Sequence, residues 1–195
     1  INIITEELKS SPSIRLSYRA SSFASSPKDF PSEPTNSVLK LNVLSPFKGF
    51  TFSNNLTYQR FSQGQDFEYI NADNIEKINY DSELKIEKGR HTLSLSNYFF
   101  QQNDEGISQL SNGVVLFNNF TDIDRNQFSL THDLGLGPNF KIKQSLIKSN
   151  YKREYIIKNT SGGLERYDIT REDNFEYEFL FDYKLTNLIL NGGLE

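Results

Sequence analysis

The sequence predicts an all-β chain: an antiparallel up-and-down meander of about nine strands, forming a partial segment of a transmembrane β-barrel. Three observations lead there. The chain is built of runs in which apolar and polar residues alternate with period two. The links between runs alternate short and long: short near 45–49, 87–90, 135–139 and 184–187, long near 21–36, 62–74, 102–125 and 156–173. A barrel crossing a membrane carries turns on one side and loops on the other, which is the pattern such a cadence describes. The aromatic residues also fall at two levels along the runs, as interfacial girdles do.

Taken in order, Ile14, Leu16, Tyr18 and Ala20 alternate with Ser13, Arg15, Ser17 and Arg19. Leu39, Leu41 and Val43 alternate with Lys40 and Asn42. Phe50, Phe52, Leu56 and Tyr58 face away from Thr51, Ser53, Asn55 and Thr57, with Asn54 interrupting the apolar side. Ile78, Tyr80, Leu84 and Ile86 alternate with Asn79, Asp81, Glu83 and Lys85. Leu93, Leu95 and Phe99 oppose Thr92, Ser94 and Ser96. Phe128, Leu130, Leu134 and Leu136 oppose Gln127, Ser129, Thr131 and Asp133. Phe140, Ile142 and Leu146 oppose Lys141, Lys143 and Ser145. The eighth run, Phe175, Tyr177, Phe179, Phe181 and Tyr183, alternates with Glu176, Glu178, Asp182 and Lys184, and a ninth begins near Leu188. Most runs match the ~9–11 residues that a tilted membrane strand requires.

With the first strand running toward the long-loop side, Tyr18, Tyr58, Phe99, Phe128, Phe175 and Tyr177 fall near long loops, and Phe50, Phe140 and Tyr183 near short turns. Leu39, Leu41, Leu93, Leu95, Leu130, Phe179 and Phe181 are then expected to face lipid. Lys40, Ser94, Thr131, Glu178 and Asp182 are expected to face the interior. Ser45-Pro46-Phe47-Lys48-Gly49, Glu87-Lys88-Gly89-Arg90 and Leu136-Gly137-Pro138-Asn139 have the Pro and Gly that tight turns use. The third long link holds Val114-Val115-Leu116-Phe117, too apolar for a bare solvent loop, so an additional hairpin is expected there in preference to a lid or ligand contact. A soluble β-sandwich also alternates strand by strand, and an all-β binding module stays a rival reading.

Composition narrows the function classes. The 195 residues suffice for one sizeable domain, and a net charge of −4 gives no electrostatic reason to expect nucleic acid as a partner. Without Cys there are neither disulfides nor thiolate metal sites. A mean hydropathy of −0.57 is compatible with a barrel, in which only alternate residues meet lipid. His91 and His132 stand on different strands and are expected to be structural or exposed, not metal ligands. Gly135-Leu136-Gly137 lacks the third glycine and helix of a dinucleotide loop, and Glu176 with Glu178 reads as interior charge, not a catalytic pair. No enzyme activity and no cofactor are expected.

Ile1-Asn2-Ile3-Ile4-Thr5, followed by Glu6, Glu7 and the strand led by Pro12, resembles the junction between plug and barrel in TonB-dependent outer-membrane receptors. The closing Leu188-Ile189-Leu190-Asn191-Gly192-Gly193-Leu194-Glu195 is similar to mid-barrel strands of that family. The resemblance implies residues 1–11 as the end of a plug or linker, and 12–195 as the first barrel strands with four long extracellular loops. It implies a place in the bacterial outer membrane and energised uptake of a scarce nutrient, such as a siderophore–metal chelate or a vitamin. The implied partners are outer-membrane lipid, the remainder of barrel and plug, TonB, and an extracellular small-molecule ligand. Phe67, Tyr69, Arg153, Arg166 and Tyr167 are the loop residues offered for ligand contact. The chain departs from the family in having neither a TonB box, a plug body nor a closing strand that ends in an aromatic residue, and in lacking Trp. With Ile1 in place of Met, these departures lead to the expectation of a piece of a longer protein. A non-TonB porin or structural barrel is the other membrane alternative.

Overall fold

The computed structural model describes residues 11–21, 36–62, 74–109, 115–185 and 188–194. The motif at 1–5 and the candidates Phe67 and Tyr69 lie outside the described residues. Nine strands follow one another: β1 (Ser13–Ser21), β2 (Asn36–Phe47), β3 (Phe50–Ser62), β4 (Asn74–Lys88), β5 (His91–Gln109), β6 (Val115–Gly135), β7 (Phe140–Asn159), β8 (Leu164–Leu185) and β9 (Leu188–Leu194). They form one antiparallel sheet in sequential order, each strand paired with its neighbour in the chain. The expected meander is therefore present, and among the described residues the sheet is open, with β1 and β9 at its two edges.

One end of the sheet is a rim of tight turns. Gly49 (φ 87°) and Gly89 (φ 62°) occupy the left-handed region that an L side chain rarely adopts, so glycine is what lets two residues reverse the chain there. Among the described residues, three short turns are also tied to the next strand pair. Glu87 N–H donates to Gly49 O at 3.0 Å, Gly135 N–H to Arg90 O at 2.9 Å, and Lys184 N–H to Asn139 O at 2.8 Å.

The other end differs from the sequence expectation. The links predicted at 102–125 and 156–173 are mostly strand. β5 and β6 pair out to Gln109↔Val115, with a register shift at Ser108/Gln109, and β7 and β8 pair out to Lys158↔Leu164. The apolar Val115-Leu116-Phe117 segment opens β6 itself and does not build a separate hairpin. The last link is a four-residue turn built on Asn159. Gly163 N–H and the Ser161 hydroxyl both donate to Asn159 Oδ1 at 2.7 Å, its Nδ2 donates to Glu165 at 2.8 Å, and Gly162 stands at φ 84°. Strand length accordingly grows from 9 residues in β1 to 22 in β8.

Residues directly opposite in an antiparallel ladder share a face, so the register sorts the sheet into two surfaces. One carries rows such as Leu84, Leu95, Leu130, Leu146 and Tyr177. The other carries rows such as Lys85, Ser94, Thr131, Ser145 and Glu178. Nothing apolar is buried among the described residues. Leu95 is 38% exposed, Phe128 46% and Phe175 72%, whereas the side chain best sheltered is Ser145, at 3%, on the polar face. A soluble sheet buries its apolar face and wets the polar one; in this sheet the apolar face is exposed as well.

Candidate functional site

The apolar face is the first candidate surface. All seven residues expected to face lipid lie on it. Leu39 and Leu41 pair with Tyr58 and Leu56, Leu93 and Leu95 with His132 and Leu130, and Phe179 and Phe181 with Gln144 and Ile142. Lys40, Ser94, Thr131, Glu178 and Asp182 all fall on the opposite face. The register thus separates the two predicted sets completely, without by itself saying what touches either.

The apolar residues do not follow the pairing rows. They form a band that runs obliquely across the sheet. Leu41, mid-way along the apolar run of β2, is in register with Asp173 after six strand steps, yet the run on β8 is centred on Phe179. At the short-turn edge, Phe47–Phe50 stack at 4.7 Å and Phe140–Tyr183 meet edge-on at 5.9 Å. Phe50 is in register with Phe179, four residues short of Tyr183, five strands away. A drift of just under one residue per strand, at ~3.3 Å rise and ~4.8 Å strand spacing, corresponds to strands tilted by roughly 30–35° to a flat slab. Membrane barrels tilt their strands by ≈ 35–45°. The aromatics expected near the long links, Tyr18, Tyr58, Phe99, Phe128, Phe175 and Tyr177, share this face and descend along the same diagonal.

Behind the band the polar face is held by short side-chain bridges: Ser96–Ser129 at 2.5 Å, and Thr131 donating to Ser145 at 3.4 Å. Lys143 approaches Glu178 at 3.8 Å. Near the short-turn rim Thr92, Asp133, Lys141, Lys143, Leu180 and Asp182 line a recess of about 780 Å³.

The second candidate surface is the wall formed where β5–β8 continue beyond the band. Arg153, Arg166 and Tyr167 belong to it, as strand residues and not as the loop residues the sequence suggested. The ladder splits them. Arg153 and Arg166 stand on the polar face with Tyr155, their guanidinium carbons 5.9 Å and 5.8 Å from its ring centroid. Arg166 also pairs with Asp168 at 2.6 Å. Tyr167 lies on the other face and donates to Glu154 at 3.4 Å. Lys152 reaches Glu154 at 2.7 Å, and that hydrogen bond holds the Glu154 carboxyl below its ordinary range while raising the Lys152 ammonium. On the polar face Asp104 is pushed up by loss of solvent, opposed by Lys77. Tyr155 was missed by sequence reasoning. The available signal was its period-two spacing from Arg153, which places both on one face once the segment is recognised as strand.

The two histidines stand on different strands, as expected, and the β5–β6 register brings their rings together. His91 Nδ1 and His132 Nε2 lie 3.0 Å apart, with ring planes within 7° and centroids 5.3 Å apart. The centroid separation exceeds the N···N contact by about two ring radii, so the imidazoles meet edge to edge, in the geometry of an N–H···N hydrogen bond. No group of three or more His, Cys, Asp or Glu suited to a metal ion occurs among the described residues. No protein-family model, curated protein or solved structure matches this chain.

Proposed function

We propose that this chain is a wall segment of an outer-membrane β-barrel, and that the protein it belongs to takes up a scarce nutrient in the manner of a TonB-dependent receptor. The observation that carries the membrane reading is the division of the sheet: an exposed apolar face crossed by a tilted, aromatic-edged band, and an opposite face of polar and charged rows. Lipid satisfies the first and a hydrated or plugged interior the second. The sheet is open at β1 and β9 among the described residues, which supports a segment reading, since an edge strand needs a neighbour when lipid surrounds it. The uptake reading rests on the resemblance of Ile1–Thr5 to a plug–barrel junction. In this reading the wall of β5–β8 rises above the membrane, and Arg153, Tyr155 and Arg166 meet ligand from the interior side.

The test has two arms. Residues 1–195 are purified alone and their mass measured by light scattering in plain buffer and in detergent. Association in buffer is expected; a monomer that melts cooperatively in buffer overturns the membrane reading in favour of a soluble β module. In cells, loss of the protein is expected to abolish uptake of one ferric chelate or vitamin only while the inner membrane is energised. Uptake that persists after de-energisation overturns the receptor reading in favour of a porin.

A further inference from the structure

The chain has two histidines and no cysteine. They are 41 positions apart, and the fold sets them ring to ring across β5 and β6. We propose that His91 and His132 form a bidentate site for a divalent transition-metal ion, with Cu(II) bound most tightly. Two imidazole nitrogens 3.0 Å apart span adjacent positions about an ion whose bonds are about 2.0–2.1 Å, an angle near 90°. Tetragonal ions, Cu(II) and Ni(II), favour that angle, and Cu(II) stands at the top of the divalent affinity order. Binding moves one proton within a ring. The histidine that donates the N–H···N bond shifts its hydrogen to its other nitrogen, both facing lone pairs become available, and each ring swings by roughly 40° off the N···N line so that the two meet at one ion. No charge is lost from the protein in that step.

The surroundings fit a site loaded from water at the short-turn rim. His91 is the first strand residue after the Gly89–Arg90 turn and is exposed. Gln144 stands in register with His132 on the same face and supplies an oxygen donor type; Lys88 stands in register with His91 and adds one positive charge. Asp133 and Lys143 belong to the opposite face. The site is independent of the transport reading, because it needs only the β5–β6 ladder.

The experiment is a Cu(II) titration of the protein in detergent, in metal-free buffer, followed by electron paramagnetic resonance and repeated with Ni(II) and Zn(II). One Cu(II) per chain is expected, with nitrogen hyperfine structure from two imidazoles and weaker binding of Zn(II). His91→Ala and His132→Ala are each expected to weaken binding by at least about tenfold, since the chelate is lost in each, and the double variant is expected to lose it altogether, since no imidazole is left. Copper binding that survives in the double variant overturns the proposal, as does binding of two ions per chain with one imidazole each. The spectrum of the unaltered protein reads the ligand set without any variant, so a variant that fails to fold leaves the proposal testable.

Discussion

Within β5 two stretches sit end to end. From Thr92 to Ser96 polar and apolar residues take turns; from Gln101 to Glu105 every residue is polar or charged. The ladder to β4 and β6 runs unbroken through both. β8 repeats the contrast, with Phe175–Tyr183 alternating and Glu165–Asp173 strongly charged. The backbone pairing of the strand is therefore continuous through the two halves, and what changes is the side-chain pattern. Apolar alternation records a two-sided environment. On the membrane reading proposed above, continuous polarity on a paired strand fits water on both sides, with the upper wall outside the slab that the lower band would occupy.

That contrast can be broken most sharply with a charge. Leu95 and Ile169 share the apolar face and similar exposure, 38% and 40%, but lie in different halves. Leu95→Arg puts a guanidinium near the middle of the band, where the cost in a bilayer is about 2–4 kcal/mol. Ile169→Arg is expected to be nearly silent, and so is Ser94→Arg on the polar face. Folding into liposomes, followed by the heat-dependent gel shift of a barrel and urea titration, measures all three. Equal tolerance of Leu95→Arg and Ile169→Arg would remove the distinction between the halves.

A smaller effect is expected at the edge. Gly192 and Gly193 lie against β8 so closely that a Cβ at Gly193 would meet Phe179 O at 2.6 Å and a Leu180 methyl at 2.5 Å, and one at Gly192 would meet the Phe181 ring at 2.6 Å. Backbone cannot yield as a side chain can, so Gly193→Ala should detach β9 while Gly192→Ala is absorbed by a turn of the Phe181 ring. The cost at Gly193 should fall in the ~1–3 kcal/mol range of overpacked sites. Hydrogen exchange of the β8–β9 amides distinguishes the two, with β1–β7 unchanged in both.

The comparison also explains what was legible beforehand. The strand order, the short turns and the split of Leu39 from Lys40 or Leu95 from Ser94 followed from period-two alternation and from Gly49 and Gly89. The extension of β5–β8 did not, because polar runs such as Gln101-Gln102-Asn103-Asp104-Glu105 carry no apolar period to read. Loop-like composition and water-exposed strand look alike in one dimension. Asn159-Thr160-Ser161-Gly162-Gly163 was the missed clue, since an Asn followed by two glycines ends strands in a tight turn. The meeting of His91 with His132 depends on the β5–β6 register, which strand assignment alone leaves open by steps of two residues. Arg153 and Arg166 were named as ligand candidates, but the Tyr155 between them required that same register.

The smallest expected effect lies wholly in the upper wall and separates its two faces by pH. Glu154, on the outer side, has its pKa lowered by the Lys152 hydrogen bond. In the window between its folded and unfolded values the unfolded chain binds the extra proton, so that support is full above the unfolded value and is lost as pH falls through the folded one. Asp104, on the polar face, has its pKa raised by desolvation. There the folded state holds the extra proton, so its contribution is full below the unfolded value and is lost as pH rises through the folded one. Hydrogen exchange of the wall amides, corrected for the intrinsic pH dependence of exchange, should show β7–β8 protection near Glu154 weakening toward acid and β4–β5 protection near Asp104 weakening toward neutral pH. Glu154→Gln should flatten the first trend and Asp104→Asn the second, each leaving the other in place. Both faces responding with the same sign would mean that the wall does not keep one side sheltered from the other, and the separation of its surfaces above the band would have to be given up.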